Sequence, residues 1–210
     1  MIGLESVSFG YISDETIIDD LSWEFAEGAV TGVTGPSGRG KSTLLYLIGL
    51  LVTPWWGVIR FDNVDAGGLS DGQRSGIRAS RVGFVFQDAA LDSTRTVLDN
   101  IVESALYTSL PRSEAIGRAE ELMERFDVGL RSDHKPGEVS GGQAQRIALC
   151  RALVNQPEIV LADEPTGNLD SRTAEVVLTA FRELAESGKT VIVATHDEHI
   201  VTQCDEVLGL

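Results

Sequence analysis

Apolar and polar residues alternate in different ways along the chain. In the first third, every second residue of short runs is apolar, which predicts β-strands, whereas the middle carries apolar residues at helical spacing. The last third alternates between these two patterns. Strands are predicted at Ile2–Phe9, Leu21–Phe25, Ala29–Thr34, Ile159–Ala162, Thr190–Ala194 and Glu206–Leu210. Helices are predicted at Lys41–Leu51, Thr96–Leu106, Ser113–Phe126, Gly141–Val154, Arg172–Ser187 and Asp197–Cys204.

Composition limits the functions that the chain can have. It has 210 residues, of which 42% are hydrophobic, and this suits one globular domain. The net charge of -15 would repel a phosphate backbone, so no nucleic-acid partner is expected. Cys150 and Cys204 have no metal-site spacing and fit a reducing cytosol. The longest apolar run, Leu44–Val52, falls well short of the about 20 residues that cross a bilayer, so we expect membrane work only through partners.

A glycine-rich loop lies between the strand ending at Thr34 and the helix beginning at Lys41. Gly35–Ser42 reads GPSGRGKS and matches the phosphate-loop pattern G-x-x-x-x-G-K-[ST]. Glycines let backbone N–H groups turn toward phosphates, Lys41 can reach the β- and γ-phosphates, and Ser42 can bind Mg²⁺. The alternative is a glycine-rich turn that matches by chance. The expected fold class is therefore α/β: a P-loop NTPase core with a mostly parallel sheet, an N-terminal antiparallel β flap and an inserted α-helical subdomain at about residues 88–155.

Two acidic residues follow the predicted strand Ile159–Ala162. A carboxylate at the carboxyl end of a strand lies where ligands bind in open α/β sheets. Asp163 is therefore a candidate Mg²⁺ ligand, through water, and Glu164 can orient or deprotonate an attacking water. An ordinary acidic turn is the alternative for this pair taken alone.

A second candidate anion site lies farther along the chain. Ser140-Gly141-Gly142-Gln143 precedes a predicted helix, where N–H groups and the helix dipole attract anions. One ATP needs one such cradle, so two incomplete sites suggest that each completes the site of a partner subunit. A simple capped helix start is the alternative.

Five motifs in order make the sequence resemble an ATPase of the ABC (ATP-binding cassette) family over essentially its whole length. They are the phosphate loop at Gly35–Ser42, FVFQ at Phe84–Gln87, VSGGQ at Val139–Gln143, VLADEPTGNLD at Val160–Asp170 and ATHD at Ala194–Asp197. The resemblance implies one ABC ATPase domain over residues 1–210 that binds and hydrolyses ATP in a head-to-tail dimer. It also implies a homodimer, or a dimer with a related cassette, that drives transmembrane permease subunits from the inner face of the cell membrane.

The resemblance also assigns roles to residues. Glu164, His196 and Gln87 would be catalytic, with His196 bonding the γ-phosphate and Gln87 touching Mg²⁺ or the attacking water. The implied Mg²⁺ ligands are Ser42, Gln87 and Asp163. The implied ATP-binding residues are Tyr11, Gly35, Pro36, Ser37, Gly38, Arg39, Gly40, Lys41, Ser42 and Thr43. The implied signature residues that act on the partner's ATP are Ser140, Gly141, Gly142 and Gln143.

Some positions remain open between two interpretations. Tyr11 resembles the aromatic residue that stacks on adenine, and its alternative is an ordinary exposed turn tyrosine. Asp170 would lie at the dimer seam. Arg39 occupies a position that is more often small, and it contacts either phosphate or solvent. The pair Trp55–Trp56 is expected to be partly buried under the flap, whereas an exposed pair would indicate a contact surface.

The sequence segments PTGNLD and TVLDNI resemble those of the lipoprotein-release, macrolide-export and cell-division group, so export or force transmission is expected. A soluble ABC-type ATPase that acts on nucleic acid or ribosomes is the alternative. A regulatory cassette that binds ATP without hydrolysis is a second. A P-loop kinase would explain neither Ser140–Gln143 nor His196. The transported substrate and the identity of the membrane partner do not follow from the sequence.

Overall fold

The computed structural model describes residues 2–13 and 15–210. Within them the strands are β1 (Ile2–Phe9), β2 (Ile18–Phe25), β3 (Val30–Thr34), β4 (Trp56–Phe61), β5 (Val64–Asp65), β6 (Val82–Val85), β7 (Ile159–Asp163), β8 (Thr190–Ala194) and β9 (Glu206–Gly209). The α-helices are α1 (Lys41–Ile48), α2 (Asp71–Arg81), α3 (Val97–Val102), α4 (Arg112–Arg125), α5 (Gly141–Leu153), α6 (Ser171–Glu186) and α7 (Glu198–Val201).

The strands form two sheets of different character. The larger has the order β6-β7-β8-β3-β9, and every neighbouring pair in it is parallel. The smaller has the order β2-β1-β4-β5 and is antiparallel. Parallel strands need crossover connections, and helices supply them here, as the alternation of the last third predicted. The predicted α/β fold class is confirmed, including the antiparallel flap.

The parallel sheet lies between two hydrophobic layers. Strand β7 is buried on both faces, and its residues alternate between the layers: Val160 joins one apolar cluster and Leu161 the other. The first layer is built with α3, α4, α5 and α6. The second is built with α1 and the antiparallel sheet. Burial on both faces explains why β7 and β8 appear in the sequence as continuous apolar runs.

Four elements between residues 56 and 85 are absent from the sequence prediction: β4, β5, α2 and β6. Helix α2 has no buried residue, so it lacks the apolar stripe by which a helix is recognised. A capping box stabilises its start instead, with Ser70 accepting from the N–H of Gln73 and Gln73 accepting from the N–H of Ser70. The pairing of β4 with β1 is long-range, which local patterns do not reveal.

Several predicted helices end at residues other than those predicted. Helix α1 ends at Ile48 rather than residue 51, because Gly49 caps it and Leu50 adopts a left-handed φ of 56°. Helix α7 ends at Val201 rather than residue 204. The expected loop 127–139 contains two short 3₁₀ turns.

Trp56 is 75% exposed at the start of β4, so its expected burial is wrong, while Trp55 is 37% exposed.

Helices α3, α4 and α5 follow β6 and precede β7 in the chain, and they pack against one another. Among the described residues, none of the helices combines the length and the apolar character that a membrane span requires.

Candidate active site

A cleft of about 480 Å³ lies at the carboxyl ends of β3 and β7, beside the N-terminus of α1. It brings together residues that lie up to 185 positions apart, from Tyr11 to His196. The predicted site residues that line it are Tyr11, Ser37, Gly38, Gly40, Lys41, Ser42, Thr43, Gln87, Asp163, Glu164 and His196. Gly35, Pro36 and Arg39 are not among the lining residues, and Arg39 is exposed.

The loop Gly35–Ser42 wraps around a lysine side chain. Gly40 has a φ of 95°, and a Cβ there would lie 2.7 Å from Ile17 Cγ2, so only glycine fits before α1. Lys41 is 8% exposed, and its Nζ donates to the carbonyl oxygens of Gly35 (2.8 Å) and Pro36 (3.3 Å). The ammonium is therefore held inside the loop, next to the helix N-terminus that attracts anions.

Glu164 is held in an unusual backbone and side-chain geometry. Its φ is 45°, a strained value for a residue with a Cβ, and such strain concentrates at functional sites. Its Oε2 accepts from Thr195 Oγ1 (3.1 Å), and its Oε1 accepts from His196 Nδ1 (2.7 Å). The carboxylate is mostly buried, whereas the His196 ring is 75% exposed. This arrangement aims the carboxylate into the cleft and ties it to an accessible imidazole.

Asp163 is buried at the floor of the cleft, with 3% exposure. Burial raises the pKa of this carboxyl, and the neighbouring Glu164 charge raises it further; a hydrogen bond from Ser42 and the charge of Lys41 oppose both. Asp163, Ser42 and Gln87 together offer carboxylate, hydroxyl and amide oxygens, which are the ligands that Mg²⁺ prefers. Among the described residues there is no cluster of three or more His, Cys, Asp or Glu that could hold a metal.

The signature residues lie elsewhere. Ser140 is exposed and caps α5, since Gln143 N donates to Ser140 Oγ (3.3 Å) and Ser140 N donates to Gln143 Oε1 (2.9 Å). Of the described residues that line the cleft, none belongs to Ser140–Gln143. A Cβ on Gly142 would lie 3.1 Å from the Asn168 carbonyl oxygen. Asp170 caps α6 by accepting from Thr173 N (2.9 Å), and this bond holds its pKa below the usual range.

Sequence reasoning missed four residues that shape the site. Thr195 orients Glu164 and lies inside the ATHD motif, which is the signal that could have found it. Ile17 lines the cleft without any sequence signal. Gln145, 2% exposed, donates to the carbonyl oxygen of Phe86 (3.2 Å), and Arg151 donates to the two carbonyl groups that come two and three residues after Gln87.

These bonds fix the loop of Gln87 from helix α5. Ala89 and Ala90 have left-handed φ values of 61° and 45°, which cost free energy for residues with a Cβ. The guanidinium of Arg151 donates to both carbonyl oxygens, at 2.7 Å and 2.6 Å. The helix that begins with the signature residues therefore also holds the loop next to the cleft.

Arg151→Lys is expected to lower the free energy of unfolding by roughly 1.5–3 kcal/mol, because an ammonium cannot replace the two-pronged donor and a hydrogen bond to a charged group contributes about that much. Urea denaturation measures this change. Arg112→Lys is the control, since Arg112 forms an exposed pair with Asp99 and should change stability by less than about 0.5 kcal/mol. Equal losses in the two variants would contradict the role of Arg151.

A glycine-rich loop that follows β3 and encloses a lysine, together with an acidic pair at the end of β7 in the same sheet, defines the class of P-loop nucleotide hydrolases. The family model described as ABC transporter matches residues 18–167. The chain belongs to the ABC transporter family, as its ATP-binding and ATP-hydrolysing cassette. The predictions of family and enzyme class are thus confirmed.

Curated relatives support this assignment. The chain is 41% identical over 184 residues to the lipoprotein-releasing system ATP-binding protein LolD 1 of Rhodospirillum rubrum, covering 87% of this chain and 81% of that protein. It is 39% identical over 194 residues to the macrolide export ATP-binding/permease protein MacB of Aggregatibacter actinomycetemcomitans, covering 92% of this chain but 30% of that protein. The chain thus spans about a third of the MacB relatives. Both names fall within the predicted group.

Solved structures agree over the whole chain. The dimeric structure of MJ0796, described as a bacterial ABC transporter cassette, superposes with a TM-score of 0.94 at 36% identity and covers 100% of this chain and 94% of that one. A post-hydrolysis state of MJ0796 bound to ADP and Pi gives the same TM-score at 35% identity.

Proposed function

We propose that the chain binds MgATP and hydrolyses it at the interface of a head-to-tail dimer, either with a second copy or with a related cassette. One observation carries this proposal: the signature residues Ser140–Gln143 do not line the cleft that holds Lys41 and Glu164. A second subunit, turned by a two-fold axis, would bring its signature to this cleft and receive the reverse contact. The dimeric state of MJ0796 supports the arrangement.

The residues of the cleft divide the work. Lys41 and the backbone of Gly35–Ser42 would hold the β- and γ-phosphates, and the ring of Tyr11 would stack on the adenine. A Mg²⁺ ion held by Ser42, Gln87 and, through water, Asp163 would neutralise charge that develops on the phosphates.

Hydrolysis would depend on the group of side chains around Glu164. Its carboxylate would orient the attacking water and accept a proton from it. Thr195 and His196 fix the two oxygens of that carboxylate, so the acceptor does not have to reorganise during the reaction. His196, three-quarters exposed, would also reach the γ-phosphate.

A second cleft, of about 310 Å³, offers a contact for the transmembrane partner. It lies between α2, β6 and the end of α5, and its lining includes Arg78, Phe84, Tyr107 and Arg151. Arg151 also donates to the carbonyl oxygens of Ala89 and Ala90, in the loop that follows Gln87. Binding of a partner in this groove would therefore be coupled to the conformation of that loop. We propose that permease subunits dock here and that the cassette thereby sits at the inner face of the cell membrane.

The likeness to LolD and MacB supports export or force transmission rather than an action on nucleic acid. Pull-down of tagged protein from detergent-solubilised membranes of its source separates these possibilities. A polytopic membrane protein should be recovered, and Arg78→Glu in the groove should abolish that recovery. Recovery of ribosomal proteins instead would favour the soluble ATPase.

Mixing two inactive variants tests the shared site. Lys41→Ala inactivates the phosphate loop of the subunit that carries it. Ser140→Arg blocks the signature residues of the subunit that carries it. If each site joins two subunits, mixed dimers keep one intact site. Since half of random dimers are mixed, phosphate release should return to about a quarter of the wild-type rate. The unmixed variants are the controls, and a mixture that stays inactive would contradict the head-to-tail arrangement.

A further inference from the structure

Three aromatic rings form a continuous column beside the candidate adenine position. The Phe9 and Tyr11 rings meet edge to face, with centroids 5.2 Å apart and an interplanar angle of 84°. Phe9 also meets the ring of Trp55, with centroids 6.0 Å apart and an interplanar angle of 40°. Phe9 is 6% exposed, whereas Tyr11 is 60% exposed. Trp55 therefore covers the ring on which Tyr11 rests.

Trp55 also confines the backbone that leads into Tyr11. A Cβ on Gly10 would lie 2.6 Å from Trp55 Cη2 and 2.0 Å from the carbonyl oxygen of Glu15. Gly10 is thus enclosed between the indole and the chain that returns from the turn. The backbone N–H of Trp55 donates to the carbonyl oxygen of Ser8 (2.9 Å), which fixes the main chain at Trp55 to strand β1.

The contacts of Tyr11 itself are few. Its hydroxyl lies 3.4 Å from Thr43 Oγ1, a long distance for a hydroxyl pair, and its ring meets that of Phe9 in an edge-to-face arrangement. A ring that stacks on a base must keep one orientation, and an exposed side chain that is ordered on binding loses entropy. Restraint of Gly10 and Phe9 before binding reduces that cost.

We propose that Trp55 is a positioning residue for the nucleotide base: it holds Phe9 and Gly10 so that Tyr11 presents its ring to adenine. This inference rests on the proposed function, in which the cleft binds ATP and Tyr11 takes the base. Trp56 does not share the role, because it is 75% exposed and has no ring partner among the described residues. The two neighbouring tryptophans thus form a natural pair of test and control.

Calorimetric titration with MgATP and with magnesium triphosphate, which lacks the base, tests the proposal. Trp55→Ala should weaken ATP binding by about threefold to tenfold, the size of one aromatic contact. Triphosphate affinity should stay within about twofold, since the phosphate loop is untouched. Trp55→Phe should restore most of the ATP affinity. Trp56→Ala should leave both affinities unchanged, and thermal unfolding confirms that each variant is folded.

A double-mutant cycle shows whether Trp55 acts through Tyr11. Tyr11→Ala should weaken ATP binding by about tenfold or more, and Trp55→Ala should then add almost nothing. Independent losses in the cycle, equal losses for ATP and triphosphate, or unchanged ATP affinity in Trp55→Ala would each overturn the proposal. Failure of the wild-type protein to bind either ligand would instead contradict the proposed nucleotide site.

Discussion

Replacing Glu164 with glutamine is expected to slow ATP hydrolysis by about 10²–10⁴-fold, the usual contribution of a positioned general base. The amide keeps the size of the side chain and still offers an oxygen to His196 Nδ1, now 2.7 Å from Oε1. The loss of activity arises in the chemical step, because a neutral amide cannot accept the proton of the attacking water. ATP binding should remain, since Lys41 and the phosphate loop are unchanged.

The variant should therefore accumulate as an ATP-bound dimer. Single-turnover phosphate release measures the chemical step, and size-exclusion chromatography with MgATP measures the dimer. Removal of the Glu164 charge should also lower the pKa of Asp163, because that charge contributes to its raised value.

Glu175→Gln provides a matched control. Glu175 accepts from His199 Nε2 at 2.7 Å, the same distance as in the Glu164–His196 pair, but it is exposed on α6 and does not line the cleft. Loss of an exposed pair of this kind should leave hydrolysis within about twofold of wild type. Normal hydrolysis by Glu164→Gln, or equal losses in the two variants, would remove Glu164 from the role of base.

Local patterns predicted the parallel sheet because β7 and β8 are continuous apolar runs, and the loop at Gly35–Ser42 because its chemistry needs a fixed spacing. The position of Glu164 followed in the same way from the end of a buried strand. Such features depend on neighbouring residues, which a sequence displays directly.

Features that depend on distant contacts were missed. Strand β4 forms against β1, and helix α2 is stabilised by its caps rather than by burial. The link from Arg151 to the loop of Gln87 spans about 60 residues. Trp56 is exposed at the start of β4, where this strand pairs with β1 but not with β5. None of these leaves a periodic or spacing signal, so only the folded chain reveals them.

Lys41→Ala is expected to weaken ATP binding by about 100-fold or more. Two hydrogen bonds to charged groups contribute about 1.5–3 kcal/mol each, and Lys41 is the group placed to make them with the β- and γ-phosphates. Its Nζ now donates to two loop carbonyl groups and would exchange them for phosphate oxygens. Calorimetric titration with MgATP measures the affinity.

The control lies in the same loop. Arg39→Ala removes a positive charge two residues away, but Arg39 is exposed and does not line the cleft, so ATP affinity should change by less than about threefold. A larger loss would show that Arg39 contacts phosphate rather than solvent. Thermal unfolding without nucleotide separates binding from stability, because Lys41→Ala removes bonds to Gly35 and Pro36. A folded Lys41→Ala protein with unchanged ATP affinity would contradict the phosphate loop itself, since no other lysine or arginine of the described chain lines the cleft.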